Sequence, residues 1–338
     1  MIPADIVAVA IDIHTHVVPI DFPAYGGRHR EARWPQMRDA GCGHRSVIID
    51  GKVFRTVSQE CWDIDRRRAA MTAAGISHQV LSPMPELLSY WLASDDALSL
   101  CQHINDTIGN MVDNAPDFFS GLGCVPLQDL DLAIGELERL MSEGRFKGVE
   151  IGTNVNGVAI GDPRFESFFA AAESLGAAVF VHALHPAGLD RLVGPPALAQ
   201  LVAFPGENAL AIASMITGGT LDRHPELRIA FSHGGGGFAL TLPRLMFGWQ
   251  HLDFGERISR SPVEQARRVF YDTLVYDRST LLHLIEKFGI TQLCLGTDHP
   301  FAIQDVEPVS RIDALNLTSQ ERKLLLRSNA QRFLGGGC

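Results

Sequence analysis

The feature that most constrains how this chain of 338 residues can fold is an alternation of short apolar runs with amphipathic stretches. Eight runs have the length and the β-branched content of buried strands. They span residues 7–13, 76–82, 118–125, 146–152, 177–183, 227–233, 268–274 and 292–298. The segments between them carry apolar residues at helical spacing, as in 129–144 and 162–176. This order predicts an α/β fold, a (β/α)8 TIM barrel, with an open doubly wound sheet as the competing arrangement.

The predicted barrel accounts for the whole chain, so we expect a single domain over residues 1–338 with one small insertion after strand 1. Residues 17–60 lie between that strand and the next helix, and they include a hairpin pattern over 46–57 that turns at an Asp-Gly pair. We expect this insertion to cover the mouth of the barrel. A second long connection, 184–208, follows the fifth strand.

Composition and charge argue against several classes of function. The net charge of −10 disfavours a surface that binds nucleic acid. The sequence contains no run of about 18 apolar residues, so it predicts no membrane span. The amino terminus lacks the basic segment of a secretory signal, and we interpret it as a first strand. Six cysteines are scattered without a CxxC pair, which favours reduced thiols and a cytoplasmic protein.

Histidines and an aspartate fall where the predicted strands end. His14 and His16 stand one residue apart in IDIHTH, so in a strand they point to the same face. His182, His233 and Asp298 end strands 5, 6 and 8. Because barrel enzymes build their sites at the carboxyl ends of the strands, these side chains should converge at one rim. A single histidine there would suggest a structural residue, but the whole set predicts a metal site.

Three histidines and one aspartate suit a divalent transition metal, with zinc first and manganese as the alternative. Such a site leaves a coordination position for water and lowers the pKa of that water toward about 7. His233 is then a general acid or base, unless it is itself a ligand and another group transfers the proton. Gly234–Gly237 match neither nucleotide-binding motif, so we interpret them as a tight turn that admits substrate.

Several motifs taken together resemble one branch of a known superfamily. They are IDIHTHVVP, DGKVFR, CWD, SYW, GVEIGTNVN, FVH, SHGGGGFALTLPR and LGTDHPF, and they occur in order from residue 11 to about residue 335. As a set they resemble the 2-amino-3-carboxymuconate-6-semialdehyde decarboxylase branch of the amidohydrolase superfamily. The resemblance implies a distorted (β/α)8 barrel, one zinc ion, no organic cofactor and an oxygen-independent, non-oxidative decarboxylation of a small carboxylate.

The resemblance also implies roles for individual residues. The residues that match the zinc ligands are His14, His16, His182 and Asp298. His233 matches the acid–base histidine, and Asp298 counts with it among the catalytic residues. Arg55, in the predicted hairpin, matches an arginine that binds a substrate carboxylate, and Arg244 matches one that the neighbouring subunit of a homodimer supplies. For both arginines the plainer alternative is a solvated surface charge.

The sequence departs from the family pattern around the predicted pocket. Residues 182–185 are His-Ala-Leu-His instead of His-Pro-Trp-Asp, and GPPALAQLVAF replaces the tryptophan-rich segment that follows. His185 and His299 are therefore predicted to line a pocket for a different substrate, with neutral replacement as the alternative. Glu150 stands where a glutamine is expected on strand 4. We interpret it as a buried or paired structural carboxylate, with a ligand of a second metal as the alternative.

These features predict decarboxylation of a carboxylated muconate semialdehyde or a related ring-cleavage product of aromatic degradation. In this hypothesis a metal-bound hydroxide attacks an unsaturated carbon, and His233 returns a proton before CO2 leaves. Three alternatives stay open. They are hydrolysis or hydration of a lactone or an unsaturated diacid, decarboxylation of a hydroxybenzoate-type acid, and a binding protein with an inactive metal site.

Overall fold

The computed structural model describes residues 10–29, 32–253 and 258–336. The strands in these residues are β1 (Ile11–Val17), β2 (Gln36–Gly41), β3 (His44–Ile49), β4 (Lys52–Val57), β5 (His78–Pro83), β6 (Phe119–Gly123), β7 (Phe146–Gly152), β8 (Asn154–Val155), β9 (Val158–Ala159), β10 (Ala178–His182), β11 (Arg228–Phe231), β12 (Phe270–Asp272) and β13 (Leu293–Cys294). One parallel sheet has the order β1-β5-β6-β7-β10-β11-β12-β13, which follows the chain. The last segment returns to the first, since the amide of Ile13 donates to the carbonyl of Leu295. The predicted (β/α)8 barrel is therefore confirmed.

Helices fill the connections between the barrel strands. They are α1 (Ile64–Ala74), α2 (Ser94–Asn114), α3 (Leu130–Ser142), α4 (Glu166–Ser174), α5 (Phe204–Thr217), α6 (Thr220–Arg223), α7 (Phe238–His251), α8 (Pro262–Ala266), α9 (Arg278–Phe288), α10 (Pro308–Asp313), α11 (Ser319–Lys323) and α12 (Asn329–Leu334). The carboxylates of Asp63, Asp129 and Asp277 accept amide hydrogen bonds at the starts of α1, α3 and α9. The helix predicted over 129–144 is confirmed as α3.

The insertion after β1 contains a separate antiparallel sheet of β2, β3 and β4. Strands β3 and β4 form the hairpin that the sequence predicts over 46–57. Its turn residues Asp50 and Gly51 have φ angles of 55° and 70°, the left-handed backbone that an Asp-Gly turn readily adopts. This sheet carries Arg55 of β4 toward the rim of the barrel.

Apolar residues fill one end of the barrel interior, and polar residues occupy the other. The apolar cluster contains Ile11, Ile13, Val80, Leu122, Ala178, Phe180, Ala230, Phe270, Cys294, Ala330, Phe333 and Leu334. In β10 the members of this cluster are Ala178 and Phe180, so strand alternation makes His182 the next inward side chain. The carboxyl end of the strand therefore delivers a polar group to the rim, as predicted.

Strand β1 shifts its pairing register just where its histidines begin. The register with β5 changes between Asp12 and Thr15, which is a β-bulge. Ile13 belongs to the interior apolar cluster, and the ring of the next residue, His14, lies 5.0 Å from an interior phenylalanine ring of β10. The bulge thus lets His14 and His16 face the barrel interior directly after an apolar run that also faces it.

Several predicted boundaries differ from the structure, and three of these differences are substantial near the site. The first strand continues to Val17, and residues 7–9 of the prediction lie outside the described residues. The last predicted strand, 292–298, shrinks to Leu293–Cys294, and Asp298 near its predicted end has left the extended conformation with a φ of 66°. The predicted connection 184–208 is too long, because a helical segment begins at Ala199 and continues as α5.

The described residues contain neither a disulfide bond nor a membrane-spanning helix. The cysteines among them are thiols, as predicted, namely Cys42, Cys61, Cys101, Cys124 and Cys294. Cys338 lies outside the described residues. No helix of the described part of the chain is long and apolar enough to cross a bilayer.

Candidate metal centre and active site

His14 and His16 of β1 present their Nε2 atoms to a common point inside the barrel. Nδ1 of His14 lies 2.6 Å from Oδ2 of Asp272, and Nδ1 of His16 lies 2.9 Å from the carbonyl oxygen of Pro83. Both partners are acceptors, so each Nδ1 carries a proton, and a neutral ring then presents a lone pair at Nε2. The two Nε2 atoms are 3.1 Å apart. Two lone pairs at this distance repel each other unless they share a cation.

His182 and Asp298 complete the cluster from two other strands. Nδ1 of His182 is held by the carbonyl of Ala183 at 2.9 Å, and its Nε2 is buried without a hydrogen-bond partner among the described residues. Oδ1 of Asp298 lies 2.9 Å from Nε2 of His16 and 3.4 Å from Nε2 of His14. The four potential ligand atoms lie within 4.8 Å of one another, and all four residues are buried.

This cluster needs a positive charge to balance its carboxylates and lone pairs. Burial lowers the pKa of His14, but hydrogen bonds to Asp272 and Asp298 outweigh it and raise that pKa to about 10. The position therefore attracts a cation, whether a proton or a metal ion. Three imidazole nitrogens and one carboxylate oxygen are a common donor set for divalent transition metals. The residues fit a divalent metal site, built from the four predicted ligands.

Two buried residues behind the ligands were missed by the sequence reasoning. Asp272 ends β12, and its two carboxylate oxygens accept hydrogen bonds from His14 and from the amides of His233 and Gly234. The fully buried guanidinium of Arg67 donates to the carbonyl of His16 and thereby holds the end of β1. The position of Asp272 near the end of the seventh predicted strand, 268–274, was the available signal. Such outer contacts orient ligand rings and fix their protonated nitrogen.

His233 lies beside the cluster at the end of β11. Its ring centroid is 5.0 Å from that of His182 and 5.3 Å from that of His14. The side-chain amide of Asn208 lies 3.3 Å from Nδ1 of His233, which leaves Nε2 as the other exchangeable ring position. Burial lowers the pKa of His233 to about 4. The ring is therefore neutral near pH 7, and with Nδ1 accepting from Asn208 its proton lies on Nε2.

The glycines after His233 form the tight turn that the sequence predicts. Gly234, Gly235 and Gly236 have φ angles of 59°, 72° and 59°, a conformation that favours glycine. A Cβ atom on Gly236 would lie 1.8 Å from the carbonyl oxygen of Pro205 in α5. The turn therefore brings the amino terminus of α7 against α5 directly behind the metal cluster.

A small cavity opens beside the cluster. Its walls include His182, His233 and Asp298 from the centre and Arg55, Pro85, Glu86, Gln200, Phe204, Phe301 and Ile303 around it. The guanidinium carbon of Arg55 lies 4.3 Å from the centroid of the Phe301 ring. Arg55 also donates to Oε1 of Glu86 at 3.2 Å. The arginine predicted from the hairpin motif thus reaches the site, and Glu86 is a lining residue that the sequence reasoning missed.

Three other predicted site residues lie outside this cavity. Arg244 is exposed on α7. His185 is exposed, with its ring 5.5 Å from that of Trp91. His299 is buried, but it lines a neighbouring cavity beside α1, where Nδ1 lies 3.0 Å from the side-chain oxygen of Gln304. The structure of one chain therefore does not bring these three residues to the metal cluster.

Glu150 of β7 is fully buried behind the ligands. Its Oε2 accepts a hydrogen bond from Ser82 at 2.8 Å and lies 3.9 Å from Nδ1 of His16. Burial raises the pKa of Glu150 well above its usual value. A neutral acid is a poor bridge between metal ions, and the described residues contain one cluster able to hold a metal, which does not include Glu150. This environment matches a structural carboxyl group.

A model of the amidohydrolase family matches residues 11–336. The chain therefore belongs to the amidohydrolase family, as its motifs predict. Within that family it falls in the branch of 2-amino-3-carboxymuconate-6-semialdehyde decarboxylases. The relative of that name from Dictyostelium discoideum is 37% identical over 330 residues, which cover 96% of this chain and 91% of the relative.

Solved structures of decarboxylases share the fold along most of the chain. The IDCase of Metarhizium anisopliae has a TM-score of 0.81 and 22% identity, with 97% of each chain covered. A dihydroxybenzoic acid decarboxylase from Polaromonas has a TM-score of 0.73 and 22% identity, with 80% of this chain and 85% of that one covered. The Polaromonas structure contains manganese and the inhibitor 2-nitroresorcinol. At these identities the likeness establishes the common barrel.

Proposed function

We propose that this chain is a metal-dependent carboxy-lyase that removes CO2, without an oxidant, from a carboxylated muconate semialdehyde or a related ring-cleavage product of aromatic degradation. The proposal is carried by the convergence of four ligand atoms within 4.8 Å, beside a neutral histidine and an arginine in one cavity. A bound divalent ion, zinc first and manganese as the alternative, would act as a Lewis acid and lower the pKa of a bound water toward about 7. The decarboxylase from Dictyostelium supports the substrate class.

Arg55 is the proposed binding group for a substrate carboxylate. Its side chain is largely buried, and its guanidinium carbon lies 4.3 Å from the centroid of the Phe301 ring in the cavity wall. A planar fork of N–H donors matches the two oxygens of a carboxylate. Such a contact would fix the substrate with its reacting carbon near the metal cluster.

His233 is the proposed proton carrier. Loss of CO2 without an oxidant replaces a C–C bond by a C–H bond, so one proton must reach the carbon that loses the carboxylate. The side-chain N–H of Asn208 donates to Nδ1 of His233, so the neutral ring carries its proton on Nε2, the position from which a proton can be delivered to the substrate. Burial, which lowers the pKa of His233, keeps the ring in this neutral form.

The active assembly is proposed to be a homodimer in which Arg244 serves the partner's cavity. Arg244 is exposed on α7, and within the described residues it has no hydrogen-bond or ion-pair partner. An unpaired guanidinium on a helix that leads away from the metal cluster is suited to a site on a second chain. We also propose one domain over 1–338, with the insertion 17–60 over the barrel mouth, because this insertion supplies Arg55 to the cavity. The free thiols support a cytoplasmic location.

The experiment that tests this function is product analysis under anaerobic conditions. Zinc-loaded and manganese-loaded protein is supplied with enzymatically generated 2-amino-3-carboxymuconate semialdehyde, and the CO2 and the product mass are measured. The proposal predicts a product lighter by one CO2 and loss of this activity in Asp298→Ala. A product heavier by one water would instead establish hydrolysis or hydration, and no product with metal-replete protein would reject this substrate.

A hydroxybenzoate-type acid is the second candidate substrate. The phenyl rings of Phe204 and Phe301 line the cavity, and such walls suit a flat aromatic ring. The Polaromonas relative supports this class. The same assay with 2,6-dihydroxybenzoate separates the candidates, since the preferred substrate is the one with the higher kcat/KM.

A further inference from the structure

Glu86 is a buried carboxylate in the wall of the cavity that the proposed mechanism does not use. It lies in the 3-10 turn Pro85–Leu88 that follows β5, and it is 5% exposed. Its Oε1 accepts a hydrogen bond from Arg55 at 3.2 Å. Its Oε2 is buried and has no hydrogen-bond donor among the residues that the structure describes. An ionised oxygen in this position is costly unless something else donates to it.

Arg55, the other member of this ion pair, also has a polar atom without a partner among the described residues. Its Nε is buried and, within the described ranges, donates to no acceptor. The ion pair therefore offers one free donor and one free acceptor. Both residues line the cavity that His182, His233 and Asp298 also line. The cavity wall thus contains two residues that each have a buried polar atom without a partner among the described residues.

The charges of the lining define which ligand fits. Among the described residues that line the cavity, the only guanidinium is that of Arg55, and it is already paired with Glu86. Asp298 adds a second carboxylate at the metal cluster. The cavity of one chain is therefore not a purely cationic receptor for a dicarboxylate. It presents a donor for one carboxylate and, beside it, a charged acceptor for an N–H or O–H group.

We propose that Glu86 is a specificity-determining residue that accepts a hydrogen bond from a substrate N–H or O–H group, so that the pocket selects a carboxylate with a donor group nearby. This inference rests on the proposed function, because it assumes that the cavity beside the metal cluster binds the substrate. The chemical class is an amino- or hydroxy-substituted unsaturated or aromatic acid. A ligand with a methyl group in place of the donor would leave Oε2 of Glu86 unpaired.

A purely structural role for Glu86 makes a different prediction. If the carboxylate only orients Arg55, its removal weakens the binding of every carboxylate by the same factor. If it receives a donor from the ligand, its removal changes the ratio between ligands with and without that donor. The ratio of the binding affinities for ligands with and without the donor group therefore distinguishes the two roles.

The test uses pairs of benzoates that differ in one group of similar size. Binding of 2-aminobenzoate against 2-methylbenzoate, and of 3-aminobenzoate against 3-methylbenzoate, is measured by calorimetry on the full-length, metal-loaded protein. We expect the wild type to bind the amino member of at least one pair about 10-fold or more tightly, as expected for a charge-assisted hydrogen bond. In Glu86→Leu that ratio should fall to about 1, and in the size-matched Glu86→Gln it should fall to an intermediate value.

Controls keep the result specific to the cavity. Metal content and melting temperature are measured for each variant, and Glu286→Gln, on an exposed side chain far from the lining residues, should keep the wild-type ratio. A ratio near 1 in the wild type, an unchanged ratio in both Glu86 variants, or absence of benzoate binding would overturn the role of Glu86. CO2 release by the wild type is measured in parallel, and its absence would reject the proposed function instead.

Discussion

Nδ1 of His14 and Oδ2 of Asp272 are 2.6 Å apart, although 258 positions separate the two residues in the chain. This contact joins the first barrel strand to the seventh, and both side chains are fully buried. It fixes the proton of His14 on Nδ1 and directs Nε2 to the metal cluster. A residue outside the set of four potential ligands thus orients one of them.

Replacement of Asp272 by asparagine should weaken metal binding. The carboxylate accepts from His14 and from the amides of His233 and Gly234, and an asparagine amide can replace only some of these acceptors. We expect the metal dissociation constant of Asp272→Asn to rise about 10- to 100-fold in a chelator competition assay. Asp277→Asn, at the exposed start of α9, is the control. Equal metal affinity in Asp272→Asn and wild type would contradict the proposed support.

His233→Ala should retain the metal and lose turnover. The ring lies beside the cluster but is not among the four convergent ligands. We expect kcat to fall by about 10²- to 10⁴-fold, the usual contribution of a general acid or base. Metal content by atomic emission, measured on the same sample, should stay at the wild-type value. Loss of the metal from this variant would identify His233 as a ligand and reassign proton transfer to another group.

Arg55→Lys should impair substrate binding although it keeps the charge. Lysine lacks the planar fork that can pair with a carboxylate and stack on Phe301 at the same time. We expect kcat/KM to fall by about 10- to 100-fold, from the loss of one charged hydrogen bond in a buried site. Arg45→Lys is a matched control, since Arg45 lies on the neighbouring strand β3 and pairs with exposed Asp21. A similar kcat/KM for both variants would remove Arg55 from the site.

Gly236→Ala should destabilise the fold, whereas Gly237→Ala should not. Gly236 has a φ of 59°, and its Cβ would meet the carbonyl oxygen of Pro205 at 1.8 Å, so the backbone of α5 must move. We expect a loss of at least about 2 kcal/mol in the free energy of unfolding. Gly237 has a φ of −80°, and no atom of the described residues lies within 4 Å of its Cβ position. Equal unfolding midpoints in urea for the two variants would contradict this account of the turn.

A shared site predicts complementation between two inactive variants. His233→Ala lacks the proton carrier, and Arg244→Ala lacks the arginine proposed to enter the partner's cavity. When the two proteins are mixed and allowed to exchange subunits, a heterodimer contains one cavity with both wild-type residues. We expect about a quarter of wild-type activity to return after full random exchange, since half of the dimers then contain one complete site of two. A fully active monomer, or no recovery despite exchange, would reject the role of Arg244.

The barrel and the cluster of four potential metal ligands could be predicted because both depend on local patterns. Strands buried on both faces produce continuous apolar runs, and the ends of parallel strands share one rim. His14, His16, His182 and Asp298 each stand at such an end. No comparable sequence pattern predicts the bulge in β1. Because of this bulge, the two histidines face the barrel interior although the two isoleucines before them also face it.

The remaining parts of the site depend on the directions in which side chains point and on contacts between segments that are distant in sequence. His299 follows Asp298 in sequence, yet its side chain enters a different cavity, and the φ of 66° at Asp298 shows that the chain has left the extended conformation there. Glu86 stands among apolar residues in MPELL, and its pairing with Arg55 requires the insertion sheet to be in place. In the sequence, Asp272 cannot be distinguished from any other acidic residue near a strand end, because its hydrogen-bond partners are seen only in the structure. The role proposed for Arg244 requires a second chain.

The central claim is that the metal cluster catalyses the release of CO2. The most direct test is anaerobic CO2 release from 2-amino-3-carboxymuconate semialdehyde, followed while metal-free protein is titrated with zinc or manganese. The account predicts that CO2 release rises in proportion to bound metal, saturates at one ion per chain, and is absent in Asp298→Ala. Undiminished CO2 release by metal-free protein, or a metal-dependent product that gains water and keeps its carboxylates, would contradict it.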